Sequence, residues 1–350
     1  MSKKTTIYDI AKKLNITAAT VSRALNNNPK ISEATRQLVL DTASKMNYER
    51  NKLALALKSG KSHNVGVIVP RIDSNFFGSV IRGVEEELNP HGYHVIICQT
   101  HEEVQRENEN IDTLLNAQVD GILISTSNSK TEPFSRILKK NIPLVFFDRR
   151  IAMNGVSSVT INDFDGGYKA TKHLIDQGCK RIAHFSGDRS IEIFKERFLG
   201  YKQALIDSGI ELNGDYIVQV KSNREDGARA IKQLLELTNP PDALFSASDF
   251  AALGAIQELK SQSINIPNEF SVVGFANEPF TKFMELSIST IDQSPLDMGK
   301  MAARVFLEQV NNSNNIKIEK KVVLVPELIV RKSSLKTIES KPANLKKVNP

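Results

Sequence analysis

The sequence predicts a small all-α helix-turn-helix head followed by an α/β core of two doubly wound parallel-sheet lobes. Three observations carry this. Apolar residues near the start recur at helical spacing, with Ile7, Ile10, Ala11 and Leu14 at i, i+3, i+4 and i+7. From residue 64 onward, short apolar and β-branched runs alternate with longer amphipathic stretches, the pattern of buried parallel strands covered by helices. The basic excess is confined to the beginning: residues 1–61 hold 12 Lys or Arg against 4 Asp or Glu, while the whole 350-residue chain is only +6.

In the head, the first helix ends at Asn15, a residue that tolerates the left-handed conformation of a helix stop. Thr17 is placed to cap a second short helix over 18–26. Val21, Ala24 and Leu25 then face inward, leaving Ala18, Ala19, Thr20, Ser22, Arg23 and Asn26 outward. That outward set is small or hydrogen-bonding and contains no acid, which suits a helix lying in the major groove of DNA. A third helix follows, capped by Ser32, with Val39, Ala43 and Met46 as its buried stripe. A generic three-helix bundle with a merely solvated polar face is the plain alternative. The net charge of +8 over residues 1–61 argues against it, because a basic head displaces phosphate counterions.

Strands are expected over 65–69, 94–98, 121–125, 144–147, 158–161, 181–185, 217–220, 243–246 and 271–275, with a late strand over 321–325. Helices are expected in the gaps, over 78–88, 107–117, 166–177, 197–208, 225–237 and 250–260, and around 295–310. So many strands divide most naturally into two units with a cleft between them. The predicted plan is a head over 1–49, a hinge over 50–61, and a core over 62–333. Lobe 1 takes about 62–161 and 292–325, lobe 2 about 162–291, and 334–350 reads as a polar, disordered tail.

No N-terminal apolar stretch of signal-peptide kind and no uncharged run of membrane-spanning length is present, so a cytoplasmic protein without a membrane partner is expected. Cys98 and Cys179 lack His or Cys companions and read as ordinary thiols, with no metal site and no cofactor implied. The motifs G-x-G-x-x-G, G-x-x-x-x-G-K-S/T, H-E-x-x-H and G-x-S-x-G are all missing, which leaves an enzyme unsupported. Gly166-Gly167 opens a helix and could hold an anion, but reads first as close packing of helix on sheet.

The runs Thr6-Ile7-Tyr8-Asp9-Ile10-Ala11 and Thr20-Val21-Ser22-Arg23-Ala24-Leu25-Asn26, together with Tyr48, Asn51, Ala54 and Leu57, resemble the head and hinge of the lactose-repressor (LacI/GalR) family of bacterial regulators. The resemblance extends with falling specificity over residues 5–333 and implies a periplasmic-binding-protein-like core. It implies DNA contacts by Thr6, Tyr8, Thr17, Ala18, Ala19, Thr20, Ser22, Arg23 and Asn26 in the head, and by Asn51, Ala54 and Leu57 in the hinge. In such repressors two hinge copies form short helices on the DNA, and a Leu at the position of Leu57 wedges into a central minor-groove step. Two departures stand out: the family usually has Pro where Arg50 stands and Arg where Leu55 stands. A homodimer on a palindromic double-stranded operator follows, since one recognition helix reads too few bases for genomic specificity.

Effector candidates are polar or aromatic residues at strand ends facing the cleft: Asn75, Phe76, Asp148, Arg197, Ser248, Asn277 and Gln293. Asp148 and Arg197 are assigned to hydroxyl or carboxylate recognition and Phe76 to stacking; the alternative for Arg197 is an ion pair with Asp148 across an empty cleft. Many relatives carry Asp where this chain has Ala276. With Arg149 and Arg197 nearby, the expected effector is a sugar, a sugar acid or a sugar phosphate. The run Gly274-Phe275-Ala276-Asn277-Glu278-Pro279 is similar to family members from Bacteroidetes. The resulting expectation is a ligand-responsive repressor. Its rivals are a pure sugar-binding protein of the same core fold, an enzyme with a DNA-binding appendage, and a regulator signalled by a partner protein.

Overall fold

A computed structural model describes residues 5–48, 61–128, 130–312 and 319–336. Contacts divide the chain into two compact units, Met1–Ser62 and His63–Pro350. The predicted hinge residues Asn51, Ala54 and Leu57, and the departures at Arg50 and Leu55, lie outside the described residues.

The first unit holds helices α1 (Ile7–Leu14), α2 (Ala18–Leu25) and α3 (Glu33–Lys45). Asn15 ends α1 in the left-handed region at φ 52°. The Thr20 backbone N–H donates to Thr17 Oγ1 at 3.1 Å and the Thr35 backbone N–H to Ser32 Oγ at 3.3 Å, so both expected caps form. Such a cap contributes about 1 kcal/mol. Ile10, Ala11, Val21, Ala24, Leu25, Val39 and Ala43 make one buried cluster, with Ile7, Leu14 and Met46 packed at its rim. The helical spacing of apolar residues is thus what joins the three helices.

The second unit contains twelve named strands among the described residues. Those of the first lobe are β1 (Asn64–Val69), β2 (His94–Gln99), β3 (Gly121–Ile124), β4 (Leu144–Phe147), β5 (Ser157–Ile161) and β11 (Lys321–Leu324). They form a parallel sheet of order β11-β5-β4-β3-β1-β2. The second lobe uses β6 (Ile182–Ser186), β7 (Ile217–Gln219), β8 (Ala243–Ser246), β9 (Ser271–Phe275), β10 (Ser289–Asp292) and β12 (Glu327–Ile329). Their order is β12-β10-β9-β8-β6-β7, parallel except for the antiparallel β10–β12 pair. Central strands such as β3, β4 and β8 are buried at every position, as continuous apolar runs require when helices cover both faces.

Two strands were missing from the sequence expectation, β10 and β12. The second matters for topology, because it makes the chain return to the second lobe after β11. The expected tail also begins too early: Ser334 is fully buried, sharing hydrogen bonds with Ser289 Oγ at 2.6 Å and His173 Nε2 at 2.7 Å. A Lys- and Ser-rich composition concealed this, since buried serines satisfied by neighbours look like linker in sequence.

Helices pack on these sheets in pairs that meet at glycines. In the first lobe α4 (Asn75–Leu88) meets α12 (Pro295–Val310), and a Cβ on Gly83 or Gly299 would lie 2.1 Å from Leu296 O or 2.0 Å from Val80 O. In the second lobe α7 (Asp163–Asp176) meets α8 (Glu192–Asp207) through Gly167 and Gly200, each facing the other helix's backbone. The expected packing of helix on sheet holds at Gly166, whose Cβ would lie 3.0 Å from Phe275 of β9, whereas Gly167 packs on a helix backbone instead. Backbones at this separation leave no room for a side chain, which fixes where α8 presents Glu192, Glu196 and Arg197.

Candidate DNA-reading face and ligand cleft

On α2 the outward positions emerge as expected. Thr17, Ala19, Arg23 and Asn26 are exposed, and Ala18, Thr20 and Ser22 are half-buried. Some of their hydrogen-bonding capacity is already engaged. Thr17 and Thr20 share a hydroxyl contact of 2.9 Å, and the Asn26 amide donates to Ser22 O at 2.8 Å. Thr6 donates from its backbone N and its hydroxyl to Asp9, while Tyr8 stands 72% exposed beside it. The Arg23 side chain has no hydrogen-bond or ion-pair partner in the described residues, and it is the one cation of α2. Alanines at 18 and 19 present only methyl groups, suited to a thymine methyl and unable to make bidentate base contacts.

The cleft lies between the lobes of the second unit. Its cavity is about 290 Å³ and is lined from lobe 1 by Asp148, Arg150, Thr160, Ile161 and Val323, and from lobe 2 by Asn162, Asp163, Phe164, Glu192, Ile193 and Glu196. Asp148 follows β4 directly and sits in the left-handed region at φ 59°, a strained setting of the kind that clusters at ligand sites. Ser125 Oγ donates to Asp148 Oδ2 at 2.8 Å. Burial raises the Asp148 pKa, against the opposing charge of Arg149.

Arg197 is 4% exposed and pairs with Asp163, not Asp148. Its Nε donates to Asp163 Oδ1 at 2.7 Å, its Nη1 to Ala247 O at 3.1 Å and its Nη2 to Gln293 Oε1 at 3.3 Å. The guanidinium lies 3.6 Å from the Phe275 ring centroid, a cation–π contact. Burial still pushes Asp163 up to about 6, with Asp148 and Glu196 adding to the rise and Arg197 opposing it. Arg150 reaches across the cleft mouth to Glu192 at 2.9 Å, and Arg149 pairs with Glu102.

Of the seven effector candidates, only Asp148 lines this cavity. Arg197 and Gln293 are hydrogen-bonded to each other just behind it. Asn75 is exposed at the start of α4, and Phe76 beside it is buried. Ser248 precedes the helix α10 (Asp249–Ser261) and accepts at its carbonyl from Ser246 Oγ at 2.7 Å. Asn277 donates to Asp292 at 2.7 Å and accepts from Arg331 at 2.8 Å, which ties it into the crossing between lobes. Its neighbour Glu278 faces the Phe76 backbone N–H from the other lobe. Burial and nearby Asp249 push Glu278 up to about 7.

Sequence reasoning missed Asp163, Glu192, Glu196 and Arg150. The expected helix began at residue 197, whereas α8 begins at Glu192; the earlier start places Glu192 and Glu196 one turn apart on the cavity side. That i, i+4 pair of acids was the available signal.

A family model described as "Bacterial regulatory proteins, lacI family" matches residues 6–51. A second, described as "Periplasmic binding proteins and sugar binding domain of LacI family", matches residues 62–328. Catabolite control protein A of Priestia megaterium is 31% identical over 332 residues, spanning 95% of this chain and 99% of that protein. The HTH-type transcriptional repressor PurR of Mannheimia succiniciproducens is 30% identical over 331 residues, spanning 94% and 98%. Among solved structures, the complex of the transcriptional regulator CelR with cellobiose matches at a TM-score of 0.70 and 26% identity, covering 94% of this chain and 100% of that one. The acid-free reading helix and the two-lobed core with its interlobe cavity are the two parts those family models describe, and this chain belongs to the lacI family of bacterial regulatory proteins, DNA-binding regulators of transcription.

Proposed function

We propose that the chain is a repressor that holds a palindromic operator as a homodimer and is switched by a small carbohydrate-like effector bound between its lobes. The observation that carries this reading is the cavity of about 290 Å³ walled by both lobes, in a chain that also bears a basic reading head. A ligand touching both walls favours the closed arrangement of the lobes by its differential affinity for the two states, about 1–3 kcal/mol in typical coupled systems. The Arg150–Glu192 pair already spans the gap, so closure builds on an existing contact.

In this reading Thr17, Thr20, Ser22 and Arg23 make the principal head contacts. Residues 50–61 are the hinge, Leu57 wedges the central step with Asn51 and Ala54 beside it, and Arg50, Lys52 and Lys58 make up for the phosphate contact that Leu55 cannot supply. The second copy covers apolar surface such as Phe283, 80% exposed, and Phe250, 39% exposed, the latter packed 5.1 Å from Phe280. No helix among the described residues is long and apolar enough to cross a membrane, and the proposed site of action is the cytoplasmic nucleoid.

The test is fluorescence anisotropy on a palindromic duplex with a central CG step, against a scrambled duplex, at two salt concentrations. The expected result is a preference for the palindrome that survives the higher salt, with a stoichiometry of two chains per duplex. Equal and steeply salt-sensitive binding to both duplexes would leave only phosphate attraction. Absence of binding to either would favour a pure ligand-binding role.

A further inference from the structure

The charge of the cleft decides among effector classes. Four carboxylates line the cavity, those of Asp148, Asp163, Glu192 and Glu196, and only Arg150 among the lining residues is cationic. The guanidinia within reach are engaged: Arg150 on Glu192, Arg197 on Asp163 and Arg149 on Glu102. A carboxylate or phosphate ligand entering here would meet surplus negative charge and no unpaired arginine, which argues against the sugar-acid and sugar-phosphate expectations.

Two acids remain under-compensated among the described residues, Glu196 with no cation partner and Asp148 with only a long ion pair to Arg149. Asp148 has a side chain only 8% exposed; its Oδ2 accepts from Ser125 and forms a long ion pair with Arg149 Nε at 3.9 Å, and its Oδ1 accepts no hydrogen bond among the described residues. The Glu196 side chain has no hydrogen-bond or ion-pair partner among the described residues, and it faces the cavity from α8. Both act electrostatically on Asp163, so the three carboxylates share one region of the cleft, contributed by both lobes. A nearly buried carboxylate with an unserved oxygen in a cavity is a group awaiting a donor, and a charged donor answers a desolvated anion better than a neutral one. The volume of about 290 Å³ stands at the small end of ligand pockets, roughly 300–1,000 Å³, and suits a monosaccharide-sized molecule.

We propose that the effector carries a primary ammonium group, as an amino sugar does, and that Asp148 from one lobe and Glu196 from the other receive it. This rests on the effector-cleft reading given above. A cation between the two lobes would draw both walls together, so that charge and closure become one event.

The experiment is isothermal titration of the full chain with matched sets: glucosamine, N-acetylglucosamine, glucose and glucose 6-phosphate, then the galactose and mannose counterparts. In at least one set the amine is expected to bind tighter than its neutral and acetylated partners by roughly tenfold or more, the scale of one charge-assisted contact. Glu196→Gln, at a half-exposed position where folding is not at stake, is expected to bring that ratio down several-fold. Asp148→Asn is expected to bring it close to one, with thermal unfolding of both variants measured alongside. A neutral or phosphorylated sugar binding as tightly as the amine overturns the ammonium assignment while leaving a sugar-responsive regulator intact. An amine preference that survives both substitutions overturns the assignment to these two residues. If no sugar of any class binds and none alters operator affinity, the effector-cleft reading fails together with this one.

Discussion

Gly167→Ala tests the packing that sets the cleft. A Cβ at Gly167 would lie 2.2 Å from Arg197 O, 2.9 Å from Arg197 C and 3.0 Å from its Cα. Van der Waals contact needs about 3.5 Å, so α7 and α8 must part by about 1 Å. The obstacle is helix backbone, which cannot swing aside as a side-chain end can. Overpacking of this kind costs about 1–3 kcal/mol, and alanine's better helix propensity returns up to about 1 kcal/mol. The expected net loss is about 1–2 kcal/mol. Because the displaced carbonyl belongs to Arg197, the 2.7 Å bond to Asp163 also stretches, and ligand affinity falls with stability. Gly78→Ala is the internal control: it lies inside α4 with nothing within 4 Å of its Cβ, so the same substitution there is expected to stabilise by about 0.5–1 kcal/mol. Urea midpoints of the three proteins read the outcome. A Gly167→Ala protein as stable as the parent, or stabilised as much as the Gly78 variant, would refute the claim that backbone proximity demands glycine here.

Further outcomes follow from the same geometry. Arg197→Leu strands Asp163 in a buried site and is expected to lose about 3–5 kcal/mol in urea unfolding, with Asp163→Asn in the same background recovering part of it; equal stability of the single and double variants would deny the pair its role. Arg23→Ala is expected to weaken operator binding more than non-specific binding in anisotropy, and an equal loss on both duplexes would make Arg23 a phosphate contact only. Thr17→Ala removes the α2 cap and is expected to cost the head about 1 kcal/mol, read as loss of helical circular dichroism at lower temperature; an unchanged transition would show the cap to be dispensable. His184 is fully buried among Phe198, Tyr201 and Phe245, and burial pushes it down to about 3. The unfolded chain takes up a proton near pH 6.5 that the folded one refuses, so this residue's contribution is present above pH 6.5 and lost as pH falls toward 3. His184→Phe is therefore expected to gain about 2 kcal/mol relative to the parent between pH 7.5 and pH 5. Asp163 and Asp249, at about 6, and Glu278, at about 7, tilt the curve the opposite way in both proteins, so their slopes cancel in that difference.

Much of the fold was legible because burial writes itself into the chain at the scale of a few residues. The runs that became β1, β3, β4, β8 and β9 are apolar at nearly every position, as doubly covered parallel strands must be. The stripe of Ile10, Val21 and Val39 assembled the head for the same reason. The failures share a cause as well. β12 is three residues long and antiparallel at a sheet edge, too short for a period to show. Ser333 and Ser334 are fully buried polar residues, held by partners at Val272, Ser289 and His173 that lie far away in sequence.

The cleft was hardest to read, because its chemistry consists of pairs rather than residues. Asp148 was visible alone, as an acid directly after a strand. Asp163 and Arg197 are 34 positions apart, and Arg150 and Glu192 are 42 apart, so nothing local announces either match. The consequence goes beyond bookkeeping of contacts. Read singly, Arg149, Arg150 and Arg197 make the cleft look basic and point to an acidic ligand. Read as pairs, each arginine is engaged closely by an acid, and among the described residues what remains weakly compensated is Asp148, 3.9 Å from Arg149, and Glu196, with no cation partner. The sign of the ligand's charge is therefore set by which side chains are left over after pairing, a property of the folded molecule that no single position encodes.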